Sequence, residues 1–466
     1  MRKIAFTSGL LVLLLSACQP VVKTAAVTFQ LDPHASVQSH TLANGMKILV
    51  QENHRAPVVV SQVWYKVGGS YEHDGITGLS HALEHMMFKG TKKVPAGRFS
   101  EIIAANGGSE NAFTSKDYTA YFQRIASDRL ELCLKLEADR MRNLTIDAGE
   151  FKKEIEVIKE ERRMRTEDKP TSLTYEHFNA TAFFNSAYHQ PVIGWMNDLD
   201  NMNVENLRQW YKTWYAPNNA TLVVTGDVKA LDVFKLAEQY FGVLKPSIMP
   251  EVKPRLEVKQ LGERRIIVQR PAKVPYIVMG YKVPVLKTVK DEWEVYALEM
   301  LAGILDGGDS SRLSKALVRG QQIAVQAGAS YSMHSRLNSL FVLDAVPLGK
   351  HNVQELEQAL QAQIKKIQQK KPDAAEMSRV KAQVMASAVY EQDSVFYQAM
   401  QLGTLETVGL GWQEKEKYLQ KIKQVTAAQV QAVAKKYFHP QTLTVAILQP
   451  TAISSSAQLE GQHHAH

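Results

Sequence analysis

The chain has 466 residues, of which 45% are hydrophobic and 22% charged, so it has a globular composition and the length of two or more domains. Its formal net charge is +8, but Lys and Arg alternate with Glu and Asp and form no basic arm. This pattern argues against nucleic-acid binding and indicates a solvated, mildly basic surface.

The N-terminus resembles an export signal. Arg2 and Lys3 precede an apolar run, residues 4–15, which is too short to span a bilayer as a mature helix. The run ends in Leu-Ser-Ala before Cys18, a sequence that resembles a bacterial lipobox, in which the cysteine carries the lipid. The alternative is a secreted protein that is cleaved near Ala17.

The lipobox resemblance predicts where the protein is located. We expect residues 1–17 to be a signal peptide and residues 18–37 a lipid-anchored tether, which attaches the protein to a membrane without spanning it. Gln19 follows the lipidated cysteine, and in similar lipoproteins a residue other than Asp there favours the outer membrane. The expected location is therefore the bacterial cell envelope, at the outer membrane and facing the periplasm.

The cysteine count limits the kinds of metal site that are possible. Cys18 and Cys133 are the only cysteines, and a lipidated Cys18 leaves no intramolecular disulfide. Cys133 lies among leucines, which predicts a small buried hydrophobic residue. A four-cysteine zinc site is excluded, so any metal must be bound by histidines and carboxylates.

Strand-like and helix-like segments alternate along the chain and suggest two domains. The predicted strands include residues 46–51, 58–67 and 221–225, and the predicted helices include residues 77–88, 130–141 and 150–164. Three prolines in residues 246–254 indicate a linker. We therefore predict a first domain at 38–245, a linker at 246–262, a second domain at 263–450 and a disordered tail at 451–466.

The two halves share three sequence similarities in the same order, which predicts a domain duplication. Residues 65–67 correspond to 281–283, residues 81–85 to 296–300, and residues 214–217 to 437–440. The second copy of the 81–85 segment keeps its apolar residues but has no histidine. We therefore expect a metal site in the first domain only.

The histidines of the first copy have the spacing of a metal site. His81 and His85 are four residues apart on a predicted helix, so both imidazoles lie on one face and can bind one ion at ~2.0–2.1 Å. Glu84 lies beside this face, where it can accept a proton from a metal-bound water. The His-x-x-Glu-His order reverses that of the zincins. The alternative is a pair of helix-face histidines that binds no metal.

A hydrolytic zinc site needs a third protein ligand and one open position. The acidic helix at 150–164 is the best source of this ligand. Glu161 shares a face with Val157, Ile158 and Met164, which predicts that it points towards the apolar interior. A carboxylate in that position is costly unless it is paired or metal-bound.

Glu160 and Glu154 of the same helix are expected to have different environments. Glu160 has charged neighbours on its own face and is expected to be solvated. Glu154 lies two turns before Glu161 on nearly the same face, where it can orient a ligand without binding the metal itself. The alternative for Glu154 is an ordinary surface glutamate.

These motifs resemble the pitrilysin/insulinase family of inverzincins, including the mitochondrial processing peptidase branch and its bacterial relatives. In that family a Glu-x6-Glu pair, matched here by Glu154 and Glu161, completes the His-x-x-Glu-His motif, and the later Glu binds zinc. Further similarities lie at residues 78–80, 107–114, 117–119 and 310–313, and the resemblance extends from about residue 38 to 450. It implies an α+β fold with two homologous domains, each a mainly antiparallel sheet packed with helices.

The resemblance also implies a function. It predicts an endopeptidase with one Zn²⁺ per chain, in which Glu84 is the general base and the substrate is a peptide or an unfolded polypeptide. Asn111 and Ala112 match the family's edge strand, to which substrate adds as an extra strand. The alternative for Asn111 is a turn residue after the two glycines at 107–108.

One departure from the family concerns the second domain. Active relatives carry an Arg-x6-Tyr pair there, but Arg319 is followed at that spacing by Gln326. We therefore expect a dimer, either of two copies of this chain or with a related subunit that lacks the zinc motif and supplies the missing Arg and Tyr. The rival functions are a non-catalytic assembly subunit and a lipid-anchored subunit that captures peptides without cleaving them.

Overall fold

The computed structural model describes residues 29–32 and 35–452, which form two halves, each built on one β-sheet. The predicted signal peptide, Cys18 and residues 453–466 of the predicted tail lie outside the described residues. Within the described part of the chain, no helix combines the length and the apolar character that a membrane span requires.

The first sheet has six strands in the order β1-β2-β6-β3-β5-β4. All neighbours are antiparallel except β2 and β6. The strands are β1 Gln38–Thr41, β2 Lys47–Glu52, β3 Val58–Tyr65, β4 Ser109–Thr114, β5 Thr119–Ala126 and β6 Ala220–Gly226. The strand β4 therefore lies at one edge of this sheet.

The second sheet has the same plan with five strands in the order β7-β11-β8-β10-β9, of which only β7 and β11 are parallel neighbours. The strands are β7 Arg264–Pro271, β8 Tyr276–Val283, β9 Ala324–Ser330, β10 Ser339–Pro347 and β11 Leu443–Thr451. The predicted fold class, two homologous α/β domains with mainly antiparallel sheets, is confirmed.

Helices pack against both sheets. In the first half they are α1 Leu79–Met86, α2 Arg98–Ala105, α3 Leu130–Asn143, α4 Ala148–Arg162, α5 Pro170–Ala182, α6 Met196–Asn201, α7 Val204–Trp214 and α8 Ala230–Phe241. In the second half they are α9 Trp293–Asp306, α10 Val353–Gln369, α11 Ala374–Glu391, α12 Val395–Thr407, α13 Glu414–Gln424 and α14 Ala427–Tyr437. The chain between α8 and β7 has neither helix nor strand, and the domain boundaries stay a prediction.

The sequence similarities between the halves correspond to equivalent positions in the fold. Both prolines of the 214–217 and 437–440 segments begin a short 3₁₀ turn, and each turn leads into a central strand, β6 or β11. The 81–85 and 296–300 segments lie on α1 and α9, which follow β3 and β8. Cys133 is fully buried, as predicted.

Each half contributes a helix to the outer face of the other half's sheet. Helix α12 packs on β3 and β6, and α5 packs on β7 and β11. Glycines allow both close approaches: a Cβ at Gly403 would lie 2.0 Å from Cε2 of Trp64, and a Cβ at Gly280 would lie 2.5 Å from Cζ of Phe178. Amphipathic periodicity shows that a helix has a buried face, but it does not show which sheet covers that face.

Replacing Gly403 with alanine is expected to destabilise the contact between the halves. The added methyl would collide with the buried Trp64 ring, and overpacking of a filled core typically costs about 1–3 kcal/mol. Gly262→Ala is the matched control, because a Cβ there would meet nothing within 4 Å. Urea unfolding should show a lower midpoint for Gly403→Ala only, and equal midpoints would contradict this packing.

A buried polar cluster joins the second half to the turn that follows β4. Asp117, in the turn between β4 and β5, accepts hydrogen bonds from Ser70 Oγ at 2.7 Å, from the Tyr188 hydroxyl and from the Arg336 backbone N at 3.0 Å. Arg336 comes from the loop between β9 and β10 of the second half. The end of the edge strand β4 is therefore fixed by both halves.

Candidate metal centre

Helix α1 carries both histidines of the motif, and a buried carboxylate fixes where it begins. Glu72 accepts hydrogen bonds from the backbone N of Gly78 at 2.7 Å and of Ser80 at 2.6 Å, which satisfies donors of the first helical turn. Burial raises the pKa of Glu72 to about 7. Gly78 has a φ of +87°, and a Cβ there would lie 2.6 Å from the Ile193 carbonyl oxygen, so this position requires glycine.

The structure brings His81, His85 and Glu161 together, although α1 and α4 are far apart in the sequence. One ligand atom from each residue lies within 4.8 Å of the others. The Nε2 atoms of His85 and His81 lie 3.3 Å and 3.8 Å from Oε2 of Glu161. Two ligands of a tetrahedral ion at ~2.0–2.1 Å would be about 3.3–3.4 Å apart. The spacing therefore suits Zn²⁺.

The environment of His81 favours a neutral imidazole, the form that binds a metal. Burial and the neighbouring His85 and Arg165 lower the pKa of His81 to about 3. Its Nδ1 atom is buried without a hydrogen-bond partner among the described residues. Two imidazoles and one carboxylate form a common donor set for catalytic zinc.

Glu154 orients the His85 ring through the ring nitrogen that does not face Glu161. Its Oε1 lies 2.9 Å from Nδ1 of His85, which leaves Nε2 of that ring to face Glu161. Hydrogen bonds from His85 and from Lys89 hold the pKa of Glu154 at about 2. Burial lowers the pKa of His85, but the Glu154 hydrogen bond and the nearby carboxylates outweigh it and raise that pKa. Glu154 is buried, so the surface-glutamate alternative is wrong.

Glu161 faces the histidines, but part of the sequence argument for its direction was wrong. Its side chain is 17% exposed, whereas Val157 and Met164 are 52% and 60% exposed. Only Ile158 of the three predicted apolar neighbours is buried. The α-helix ends at Arg162 and continues as a π-helical turn, from which Arg165 binds the second oxygen of Glu161 at 2.8 Å.

Glu84 points towards the edge strand. The Thr114 hydroxyl, at the end of β4, donates a hydrogen bond to Oε2 of Glu84. Burial raises the pKa of Glu84, and this hydrogen bond opposes the rise. The sequence similarities included Thr114 but gave it no role, because a contact between a strand and a helix 30 residues away leaves no periodic signal.

Replacing Thr114 with valine tests this contact. Loss of the hydroxyl is expected to raise the pKa of Glu84 further, because the hydrogen bond favours the charged carboxylate. A carboxyl group with a higher pKa stays protonated up to a higher pH, so the acidic limb in the pH profile of any rate that depends on ionised Glu84 should move to higher pH. Thr114→Ser keeps the hydroxyl and should leave the limb in place, and identical limbs for Thr114→Val and wild type would contradict the contact.

The predicted substrate-binding residues lie on an edge strand. Asn111 and Ala112 belong to β4, which pairs with β5 on one side only. Asn111 therefore lies in a strand rather than in a turn, and its Oδ1 accepts a hydrogen bond from the Ala112 backbone N at 2.8 Å. Their role in binding substrate stays a prediction.

The two residues at the incomplete family motif do not lie in the metal cluster. Arg319 donates a hydrogen bond to the backbone oxygen of Asp309. Gln326 lies on β9, opposite Val346 of β10, and is exposed. Both positions therefore belong to the second half.

Comparison with known proteins identifies the family. The profile of the insulinase family, peptidase family M16, matches residues 47–194. A second profile, described as the peptidase M16 inactive domain, matches residues 201–384. The two profiles cover more than half of the sequence, so the chain belongs to the M16 peptidase family and the family prediction is confirmed.

Individual relatives agree with this assignment. The zinc protease PqqE of Helicobacter pylori is 33% identical over 362 residues, which are 77% of this chain and 80% of the relative. The uncharacterized zinc protease YmxG of Bacillus subtilis is 25% identical over 89% of this chain and 98% of its own. The crystal structure of a protease from Helicobacter pylori superposes with a TM-score of 0.84 at 30% identity, over 89% of this chain and 99% of that one. Such relatives support a protease-like function.

Proposed function

We propose that this chain is a zinc-dependent endopeptidase that hydrolyses peptides or unfolded polypeptide segments. The observation that carries the proposal is the cluster of His81, His85 and Glu161, whose ligand atoms lie within 4.8 Å of one another. Glu84 lies on the same helix as the histidines and faces the edge strand through Thr114. The described residues contain one cluster of this kind, which supports one Zn²⁺ per chain.

The chain's own residues have distinct tasks in this reaction. His81, His85 and Glu161 would hold the zinc ion, which when bound would supply a Lewis acid for the scissile carbonyl and the attacking water. Glu84 accepts the proton of that water and transfers it to the leaving amine. Thr114 holds the Glu84 carboxylate by a hydrogen bond, and Glu154 holds the His85 ring at Nδ1.

The edge strand suggests the kind of substrate. A peptide that pairs with β4 must be extended, because its backbone forms the hydrogen bonds of an added strand. This mode excludes a folded substrate segment and depends little on its side chains. Asn111 and Ala112 lie on this strand, close to the Thr114 that binds Glu84.

Removal of the metal gives the first test of the proposal. A strong chelator is expected to abolish cleavage of an internally quenched unfolded peptide, since the Lewis acid would be lost, and one equivalent of Zn²⁺ should restore it. The cleavage rate of the quenched peptide is measured by fluorescence. A folded protein is tested as a second substrate for comparison. Cleavage that survives complete removal of zinc would contradict the mechanism. Activity that is lost with the metal and does not return when zinc is added would also contradict it.

A non-catalytic subunit that captures peptides is the competing function. It requires the same edge strand but no general base. The profile described as inactive matches residues 201–384, which include neither the histidines of the motif nor Glu161, so that description does not decide between the two functions. Cleavage of the quenched peptide by the purified chain would decide between the two functions.

We also propose that the chain acts in a dimer, with a partner that supplies the Arg and Tyr of the incomplete motif. The sequence supports this through Gln326, which stands where active relatives have Tyr. Purification from native envelopes should yield a complex that cleaves the quenched peptide faster than the isolated chain. Equal activity of the isolated chain would refute the need for a partner.

We further propose that Cys18 carries a lipid that anchors the protein to the outer membrane, facing the periplasm. This proposal rests on the N-terminal sequence, since these residues lie outside the described part of the chain. Wild type should partition into the detergent phase of a two-phase extraction, and Cys18→Ser should partition into the aqueous phase. Identical partitioning of the two would overturn the proposal.

A further inference from the structure

One arginine of the second half lies between two segments of the first half that lead to the proposed active site. Arg336 belongs to the loop between β9 and β10, and its side chain is only 12% exposed. On one side it contacts the turn at residues 115–118, which follows the edge strand β4. On the other side it contacts residues 69–72, which precede the helix α1.

The contact with the turn is a buried ion pair. Arg336 Nε lies 3.4 Å from Oδ1 of Asp117, and the Arg336 backbone N donates a hydrogen bond to Oδ2 of the same carboxylate at 3.0 Å. The Tyr188 hydroxyl also donates to this carboxylate and accepts a hydrogen bond from the Leu337 backbone N at 3.1 Å. The loop between β9 and β10 therefore binds the turn through both side-chain and backbone groups.

The contact with residues 69–72 uses another part of the same guanidinium group. Arg336 Nη2 donates hydrogen bonds to the Ser70 hydroxyl at 2.8 Å and to the Ser70 carbonyl oxygen at 3.2 Å. The guanidinium carbon lies 4.3 Å from the centre of the Tyr71 ring, which adds a cation–π contact. Ser70 Oγ in turn donates to Oδ1 of Asp117 at 2.7 Å, so each of the three polar side chains contacts the other two.

The two segments also contact each other through their backbones. The backbone N of Gly69 donates a hydrogen bond to the Ser115 carbonyl oxygen at 3.1 Å, and that of Ser70 donates to the Lys116 carbonyl oxygen at 2.6 Å. A Cβ at Gly68 would lie 2.3 Å from the Ser115 carbonyl oxygen, so the approach is close. A displacement of one segment must therefore displace the other.

Each segment is close in sequence to a group of the proposed reaction. The turn begins directly after Thr114, whose hydroxyl donates a hydrogen bond to Glu84. The other segment ends at Glu72, whose carboxylate accepts hydrogen bonds from backbone N–H groups at the start of α1. Arg336 is therefore placed to fix the edge strand relative to the helix that carries Glu84.

We propose that Arg336 is a positioning residue, which keeps a peptide bound to β4 within reach of Glu84. This inference rests on the proposed function and gives the second half a part in the reaction of the first. A misplacement of about 1 Å can cost about 10²-fold in rate, so a contact outside the reacting groups can control turnover. The affinity for the peptide should depend less on Arg336, because the main-chain hydrogen bonds of an added strand come from β4 itself.

Arg336→Met tests this role, since methionine keeps an unbranched side chain but has neither the charge nor the donors. For the quenched peptide, kcat should fall about 10–100-fold, whereas KM should change less than about threefold. The zinc content should equal that of wild type, because the proposed ligands lie on α1 and α4. The constants are measured on the full chain, purified with any partner that accompanies it, well below the thermal midpoint of each protein.

Arg264→Met is the matched control, because Arg264 is another arginine of the second half that contacts the first half. Its side chain is 22% exposed, and its Nη1 donates hydrogen bonds to the carbonyl oxygens of Thr181 and Ala182 at 3.0 and 2.8 Å. These contacts lie at the end of α5, outside the two segments that Arg336 joins. The control should have a lower thermal midpoint than wild type but the same kcat.

Loss of Arg336 leaves the Asp117 carboxylate buried without its partner, which is strongly destabilising. Should Arg336→Met fail to fold, the double variant with Asp117→Asn replaces it, since it leaves no buried charge of this pair, and it should show the same loss of kcat. A folded variant with the wild-type kcat, a variant that only raises KM, or an equal loss of kcat in Arg264→Met would overturn the inference. If wild type cleaves the peptide in these cases, only this inference fails; a wild type that does not cleave it refutes the proposed function as well.

Discussion

Glu84→Gln is expected to lower the rate of peptide cleavage by about 10²–10⁴-fold, the usual contribution of a general base, while the protein keeps its zinc. Glutamine has nearly the same shape as glutamate but cannot accept the proton of the attacking water. Its amide can still lie against Thr114, so the helix α1 and the two histidines should stay in place. The measurement is the cleavage rate of the quenched peptide, with zinc content determined on the same sample.

Two controls make the Glu84→Gln result specific. Glu160→Gln removes the same charge at an exposed position of α4 and should leave the rate unchanged. The second control is the zinc content, because a variant that has lost both metal and activity says nothing about the base. A Glu84→Gln protein that holds zinc and still cleaves at the wild-type rate would exclude Glu84 as the base.

Glu161→Gln is expected to release zinc, which is the second large effect. Loss of a residue that only orients a ligand typically costs about 10–100-fold in metal affinity, so loss of the ligand itself should cost more than about 100-fold. Glu154→Gln, which weakens the support of His85, should fall within that smaller range. Zinc affinity is measured by competition with a fluorescent chelator at constant pH.

The neighbouring Glu160 again provides the matched control. The side chains of Glu160 and Glu161 are 59% and 17% exposed, so the two substitutions remove equal charge from adjacent positions, one exposed to solvent and one facing the histidines. Glu160→Gln should bind zinc as tightly as wild type. Equal zinc affinity of Glu161→Gln and Glu160→Gln would exclude Glu161 as a ligand.

The sequence predicted most of the metal cluster because the helix repeat fixes it locally. Two histidines four residues apart must share a face, so His81 and His85 could be paired without a structure. The choice of Glu161 over Glu160 was supported by helix register, yet two of the three neighbours used in that argument are exposed. What directs Glu161 inward is the packing of α4 against α1. Helix register alone therefore does not explain why Glu161 faces the histidines.

Long-range contacts account for what the sequence did not predict. The hydrogen bond from Thr114 to Glu84 joins a strand to a helix, and the exchange of α5 and α12 joins each half to the sheet of the other. Neither leaves a periodic trace. The duplication was visible in short motifs, but the exchange of helices between the two sheets was not. The local sequence pattern thus predicted the helices and strands, but which of them pack against each other depends on tertiary contacts.

X-ray absorption at the zinc edge tests whether His81, His85 and Glu161 bind the metal, because it identifies and counts the ligand atoms around it. Purified protein with one zinc per chain should show two imidazoles and light-atom oxygen ligands at ~2.0–2.1 Å, and no sulfur. His85→Ala should remove one imidazole from that spectrum, if metal is retained at all. A wild-type spectrum with no imidazole, with sulfur, or with the same imidazole count in zinc-loaded His85→Ala would contradict the account.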